Sequence, residues 1–162
     1  DCHECSHGNE TMCKEDAPEE KYCLLTGEKL DLNPITLACG HTFSYKALYD
    51  ETYSQKFKMN ACYRTTYLRI NQIQCPYCRA ITNQLMPYIP CIEGVHKIKG
   101  VNSPEHYCMK YKPCSHVFKS GKNKGQQCRK SAFTFSLDKP CLCATHWLHN
   151  KRRLDKKKKN IR

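Results

Sequence analysis

Leu37-Ala38-Cys39-Gly40-His41 and, after a long gap, Gln74-Cys75-Pro76-Tyr77-Cys78-Arg79 decide how this chain folds. Two thiolates separated by two residues fit on one tight turn and point at a common centre. A Cys-x-His arm brought alongside supplies the other two corners of a tetrahedron, the geometry Zn²⁺ takes in closed sites. With Cys39, His41, Cys75 and Cys78 filling all four corners, no position remains for a water or substrate. The metal is expected to hold a fold together and not to do chemistry.

The composition around these residues supports a metal framework. The chain has 162 residues, enough for one ordinary domain or two or three small ones, and 14 of them are cysteine. So many cysteines mean either disulfides or metal. The pairs Cys2-x-x-Cys5, Cys75-x-x-Cys78, Cys39-x-His41 and Cys143-x-x-His146 are ligand spacings more than loop-closing ones, which favours zinc. Thiolate ligands imply an intracellular, reducing compartment, cytoplasm or nucleus. No apolar run approaches a membrane span, so no membrane partner is expected. No Gly-rich phosphate loop, paired carboxylates or nucleophile elbow occurs, and Cys62 with a distant His is not a protease signature.

Charge divides the chain. The formal net charge is +12. Residues 1–20 carry seven acids against one Lys, whereas residues 151–162 carry eight bases against one Asp. Three thiolates and one Zn²⁺ sum to one negative charge, so two such sites lower the folded total to about +10. The remaining excess suits nucleic acid or an acidic protein surface.

Four segments follow from these patterns: an acidic Cys/His-rich arm (1–20), a central unit (21–90), a second Cys/His module (91–148) and a polybasic tail (149–162). In the central unit, Gly27 marks a turn and Pro34-Ile35-Thr36-Leu37 reads as a short strand into Cys39. Ser44 is the expected N-cap of a helix from Tyr45 to Tyr53, with Phe43, Ala47 and Leu48 on one side. Ile70-Asn71-Gln72-Ile73-Gln74 alternates and reads as a strand. Turn, strand, helix and strand make a small α+β module with little apolar surface. Metal is expected to supply much of its stability, on the order of 10–16 kcal/mol per site.

A second site is expected at Cys114, Cys128, Cys143 and His146, with Cys141 or His116 as possible substitutes. Gly121 and Gly125 permit a hairpin between the first two ligands. Cys143-x-x-His146 on a helical turn places both ligands on one face, with Trp147 beside them. Lys119, Lys122, Lys124, Arg129 and Lys130 surround the turn and read either as phosphate contacts or as a solvated charged loop. The run Lys156, Lys157, Lys158, Lys159 is either disordered or the end of a short helix. Cys2, Cys5, His7 and Cys13 could hold a third zinc, with Cys23 as substitute, or belong to an unstructured arm. Cys91 and Cys108 with His96 and His106 could form another, or be buried free thiols. Cys62 has no evident partner.

On the residues of the central unit, the chain resembles a RING domain. A standard RING binds two zincs through eight ligands; the first, second, fifth and sixth hold one, the others the second. Here Cys39, His41, Cys75 and Cys78 fill the third, fourth, seventh and eighth positions. The first is Cys23, but Thr26, Ser44 and Ala47 stand at the second, fifth and sixth. The resemblance therefore implies that the first zinc site is lost. This is closer to the SP-RING of SUMO ligases and the metal-free U-box, on the stretch "CLLTGEKLDLNPITLACGHTFSYKAL". Thr26 and Ser44 are expected to replace zinc bonds with hydrogen bonds to turn backbone, and Ala47 to pack apolar.

In such ligases a hydrophobic residue between the first two ligands and a Pro after the seventh contact the ubiquitin- or SUMO-conjugating enzyme. An Arg after the eighth holds the donor. The resemblance puts Leu25, Pro76 and Arg79 in those positions; their plainer readings are core, turn and surface base. Residues 75–147 are also similar to cysteine-rich proteins of large DNA viruses, in which a RING-like unit precedes a Cys/His zinc knuckle. That similarity implies a viral origin and, as one outcome, association with the virus particle. Two functions are thus expected from the sequence. One is a ligase-like adaptor without covalent catalysis. The other is a non-enzymatic, zinc-stapled binding or assembly module that docks on nucleic acid or an acidic partner.

Overall fold

In a computed structural model of the chain, residues 21–58, 67–90, 92–135 and 139–159 are described. They form a small α+β fold of three antiparallel strand pairs and two helices. Strand β1 (Ile35–Thr36) pairs with β2 (Thr42–Phe43), matching Ile35 to Phe43 and Thr36 to Thr42. The period of two sorts the pair by face. Ile35 and Phe43 are fully buried, while the Thr36 and Thr42 hydroxyls bond each other at 2.9 Å on the outside.

Helix α1 (Tyr45–Tyr53) buries Tyr45, Leu48, Tyr49 and Thr52, the i, i+3, i+4, i+7 stripe of a helix lying on a core. Ala47 is half-buried against the same core. The cap differs from the sequence expectation. Ser44 stands at the N-cap with extended backbone, but its hydroxyl makes no capping bond. Asp31, from a preceding turn, accepts the Tyr45 N–H at 2.8 Å and the Asn33 N–H at 3.1 Å. A carboxylate at a helix N-terminus adds favourable dipole interaction, which a hydroxyl lacks.

A π-helical turn, Ser54–Lys58, follows α1. Strand β3 (Ile73–Gln74) pairs with β4 (Ile81–Thr82), matching Ile73 to Thr82. The strand expected from Ile70 begins three residues later. Ile70 sits exposed in a turn, its carbonyl accepting from Lys56 Nζ at 3.0 Å, and the same ammonium donates to the Gly100 carbonyl. The order is therefore hairpin, helix, hairpin: each expected strand is one arm of a pair.

Strands β5 (Lys112–Pro113) and β6 (Ser131–Ala132) frame a long hairpin, and α2 (Ala144–Lys159) ends the described chain. Of the two readings of the Lys run, the helical one holds: Lys156, Lys157 and Lys158 are exposed on α2, and Lys159 is its last residue.

Two cores result. The larger joins Ile35, Phe43, Tyr45 and Leu48 with Ile73, and continues past residue 90 to Val95 and Val101. The smaller consists of Cys114, Cys128, Ala132 and Cys143, with Phe118, Cys141 and Leu142 partly buried around them. They are clasped by Asn33, whose amide donates to the Thr134 carbonyl at 2.7 Å and accepts the Thr134 N–H at 2.8 Å. Tyr111 reinforces the clasp, its hydroxyl donating to the Pro34 carbonyl at 3.0 Å and its ring stacking on Phe133. Among the described residues no helix is long and apolar enough to cross a membrane.

Candidate metal centres

Two hairpin tips meet to form the first centre. The β1–β2 connection is closed by the Leu37 N–H to the His41 carbonyl at 3.0 Å, which turns Cys39 and His41 to one side. The β3–β4 connection is closed twice, by Arg79 N–H to the Cys75 carbonyl and Cys75 N–H to the Ala80 carbonyl, both at 2.8 Å. That turn presents Cys75 and Cys78. The four ligand atoms of Cys39, His41, Cys75 and Cys78 all lie within 4.8 Å of one another.

The spacing can be tested against a metal. Zn–S near 2.3 Å and Zn–N near 2.05 Å at a tetrahedral angle require sulfur and nitrogen about 3.6 Å apart. His41 Nδ1 lies 3.3 Å from Cys39 Sγ and 3.7 Å from Cys75 Sγ. The donors fit. The His41 ring packs against Tyr77 at 4.7 Å, which fixes its plane. Cys75 is buried and Cys78 exposed. Burial raises the Cys75 thiol pKa, whereas an Ala80 backbone hydrogen bond lowers that of Cys78. A coordinating cation removes both protons in any case.

The second centre gathers Cys114, Cys128, Cys143 and His146, again with ligand atoms within 4.8 Å of one another. Cys114 directly follows β5, and its N–H donates to the Lys130 carbonyl at 3.1 Å. Cys128 closes the hairpin, its N–H donating to the His116 carbonyl at 2.8 Å. The expected turn is present: Gly121 and Gly125 take φ of 79° and 82°, a region costly for residues with a Cβ. Cys143 stands just before α2 and His146 in its first turn. His146 Nδ1 lies 3.5 Å from Cys114 Sγ and 3.3 Å from Cys143 Sγ, so this set also fits a tetrahedral ion. Burial pushes the Cys143 thiol up to about 11. Burial, helped by His116, Lys130 and His149, lowers the His146 pKa and favours the neutral imidazole that a metal needs.

Neither of the two substitutes belongs to the clustered set. Cys141 Sγ pairs with the Thr134 hydroxyl at 3.3 Å, while the His116 ring stacks on His146 with centroids 3.7 Å apart. Trp147, expected beside the ligands, stacks its ring instead on Phe135 at 4.5 Å, and the rings packed against His146 are those of His116 and Phe118. Neither Cys23 nor Cys108 joins a cluster of metal-ligating residues among the described residues. Cys108 is half-buried, burial pushes its thiol to about 11, and it lies 3.5 Å from the Pro104 carbonyl. His106 stacks on Tyr107, and the His96 backbone bonds the Tyr49 hydroxyl. Cys2, Cys5, His7, Cys13, Cys62 and Cys91 lie outside the described residues.

Cys23 instead accepts the Ser44 N–H at 3.2 Å. The Thr26 hydroxyl accepts the Glu28 N–H at 3.3 Å, and the Ser44 hydroxyl accepts the Asp31 N–H at 3.4 Å. Nearby, Leu25 is exposed. Pro76 is half-buried in the Cys75–Cys78 turn, and Arg79 is exposed. Lys119, Lys122 and Lys124 lie exposed on the second hairpin, with Arg129 and Lys130 exposed at its return.

The residues that sequence reading passed over are Asp31 and Asn33, the helix cap and the clasp. An Asp two positions before an Asn is a turn signal, but its partners lie too far along the chain to be read from spacing.

The arrangement defines a small α+β protein built around two Cys₃His centres whose soft, tetrahedral donor sets are consistent with Zn²⁺. No protein-family model, curated protein or solved structure matches the chain.

Proposed function

We propose that both centres hold structural Zn²⁺ and that the first module is a RING-type adaptor presenting Leu25, Pro76 and Arg79 to a ubiquitin- or SUMO-conjugating enzyme. Hairpin, helix and hairpin around one Cys₃His centre support the reading. So does the far end, where Cys23, Thr26 and Ser44 bind turn backbone in place of a second metal. Cys39, His41, Cys75 and Cys78 would hold one ion and Cys114, Cys128, Cys143 and His146 the other. Each ion would supply cross-linking of chain segments and nothing more, since every corner is a protein ligand. Thiolate ligation suits a reducing compartment.

The observation that carries the adaptor role is the backbone of Arg79. Its φ is 61°, the left-handed region, where no other described residue except glycine is found. A glycine would close the Cys75–Arg79 turn without strain. Arginine occupies it at a cost on the order of 1–3 kcal/mol, and such outliers concentrate at functional sites. The guanidinium makes no hydrogen bond or ion pair with a described residue. It is fixed at its base and open at its tip, as a residue that grips a partner requires. A ligase of this kind accelerates transfer by holding reactants in a productive geometry. Discharge of ubiquitin or SUMO from a loaded conjugating enzyme should be accelerated by the intact chain and lost in Arg79→Ala. No response across a broad enzyme panel would refute the reading.

The exposed basic helix favours a second reading, a zinc-stapled binding or assembly module that docks on nucleic acid or an acidic surface. On α2 the bases Lys151 to Lys158 are distributed around the whole cylinder, so phosphates on more than one side are accommodated. Replacing Lys156, Lys157, Lys158 and Lys159 with Gln should flatten the salt dependence of nucleic-acid binding. Unchanged salt dependence would exclude the tail.

A further inference from the structure

Where the two modules dock, they enclose a cleft of about 1070 Å³ that neither reading above uses. Its lining includes Tyr88, Lys97 and Asn102 at the edge of the larger core, Glu105 and His106, and residues 108–111. The returning arm of the second hairpin and the start of α2 line it as well. Segments far apart in sequence thus bring Lys97, Lys110, Arg129 and Lys130 to the lining of one cleft, with a single carboxylate, Glu105. None of the four basic side chains is hydrogen-bonded or ion-paired to a described residue. Cations gathered around a low-dielectric cleft repel one another and focus the field onto an anion.

The lining narrows which anion. Tyr88 and Tyr111 line the cleft with the cations, as do Asn123 and Gln126. Tyr111 is held from both ends, by its hydroxyl bond to Pro34 and by its stack on Phe133 at 5.7 Å. A fixed aromatic ring beside a basic track is the combination that binds single-stranded nucleic acid: phosphates follow the cations and bases stack on the rings. A duplex already stacks its bases on each other and offers none to a tyrosine. An acidic peptide would satisfy the lysines but carries no bases to stack on the tyrosines.

We propose that this inter-module cleft binds a single strand of nucleic acid, with Lys97, Lys110, Arg129 and Lys130 on the phosphates and Tyr88 and Tyr111 as stacking platforms. The site depends on neither Leu25 nor Arg79, so it stands if the adaptor role falls. It also differs from the tail, which would attract any polyanion.

The test is fluorescence anisotropy of the zinc-loaded full chain with a labelled oligothymidylate over a salt series. Unlabelled duplex and oligoglutamate serve as competitors. The intact chain should prefer the single strand to both. Lys110→Gln with Arg129→Gln should weaken single-strand binding tenfold or more and reduce the log–log salt slope by about 1.4, two contacts at roughly 0.7 each. Substituting Gln for Lys156, Lys157 and Lys158 should weaken single strand and duplex by the same factor, leaving the preference in place. Equal competition by duplex or oligoglutamate would overturn the proposal. So would unaltered binding in the cleft variant. A measurement on the unmodified chain guards against misfolded variants: saturating oligothymidylate should protect Lys97, Lys110 and Lys130 from acetylation while Lys21 stays reactive. If all four remain equally reactive, the cleft is not the site.

Discussion

The two Cys₃His modules hold their ligands in nearly the same way and fill the space beneath them in opposite ways. Under the first centre lies a packed core in which Ile35, Phe43, Tyr45, Leu48 and Ile73 are each 0% exposed. Under the second, the buried residues are three of the ligands themselves and Ala132. Burying a large apolar side chain contributes about 1.5–3 kcal/mol, and the second module has almost none to bury. In the first, metal would pin a fold that packing already favours; in the second, it would be the core.

Breaking the weaker partner first gives the largest expected effect. Cys143→Ser should lower zinc content by one ion per chain and abolish order in the second hairpin and the start of α2. The interaction lost is on the order of 10–16 kcal/mol, more than a small module can spare. Hydrogen exchange should show amides from Cys114 to His146 exchanging freely while those of α1 stay protected. Protection throughout would mean that the second module packs better than its buried residues indicate.

The matching change in the first module, Cys75→Ser, should also release one zinc but leave a folded remnant. The Tyr45, Leu48, Tyr49 and Thr52 face of α1 keeps its core, so exchange in α1 should speed up without becoming free. Equal collapse of α1 in this variant and of the hairpin in Cys143→Ser would erase the distinction between the modules.

The same comparison explains how much could be read in advance. Both ligand sets were legible because Cys-x-His, Cys-x-x-Cys and Cys-x-x-His spacings are fixed by what one turn can present to one ion. Helix α1 was legible in its span from the Ser44 signal and helical spacing, but its buried face is Tyr45, Leu48, Tyr49 and Thr52 and not the expected Phe43, Ala47 and Leu48 side. The second hairpin was legible from Gly121 and Gly125. What could not be read was pairing at a distance. Asp31 caps a helix fourteen positions away, and Asn33 bonds Thr134 across 101 residues. Cys141 lies against the Thr134 hydroxyl and is not among the four clustered ligand residues of the second centre, a choice that spacing alone left open. The cleft is the extreme case, since its cations come from three segments that only docking brings together.

A smaller, pH-dependent effect is expected at Cys23, whose thiol sits among hydrogen-bond donors of the turn. Burial opposes ionisation of this thiol. The Ser44, Leu25 and Thr26 N–H groups and the Thr26 hydroxyl outweigh burial and hold the pKa at about 7, below the ordinary 9.0. An acid with a depressed folded pKa contributes stability that is fully present above its unfolded value and lost as pH falls through the folded one. The cost of Cys23→Ala, measured by urea unfolding, should therefore grow as pH rises from about 7 toward 9.0. A cost that does not change with pH would show that only packing matters there.

The smallest effect is the most informative about function, because it sets stability against activity at one residue. Arg79 stands at φ 61°. Glycine there removes strain on the order of 1–3 kcal/mol, but loses about 0.4–1 kcal/mol through the greater freedom of its unfolded chain. The exposed guanidinium has no described partner to forfeit, so Arg79→Gly should be more stable by anything up to about 2.6 kcal/mol. Arg79→Ala, which keeps the left-handed backbone, should change stability little. Both should be equally defective in any assay where Arg79 grips a partner. A destabilised Arg79→Gly would mean that the side chain holds the fold, and the case for Arg79 as a partner contact would then be gone.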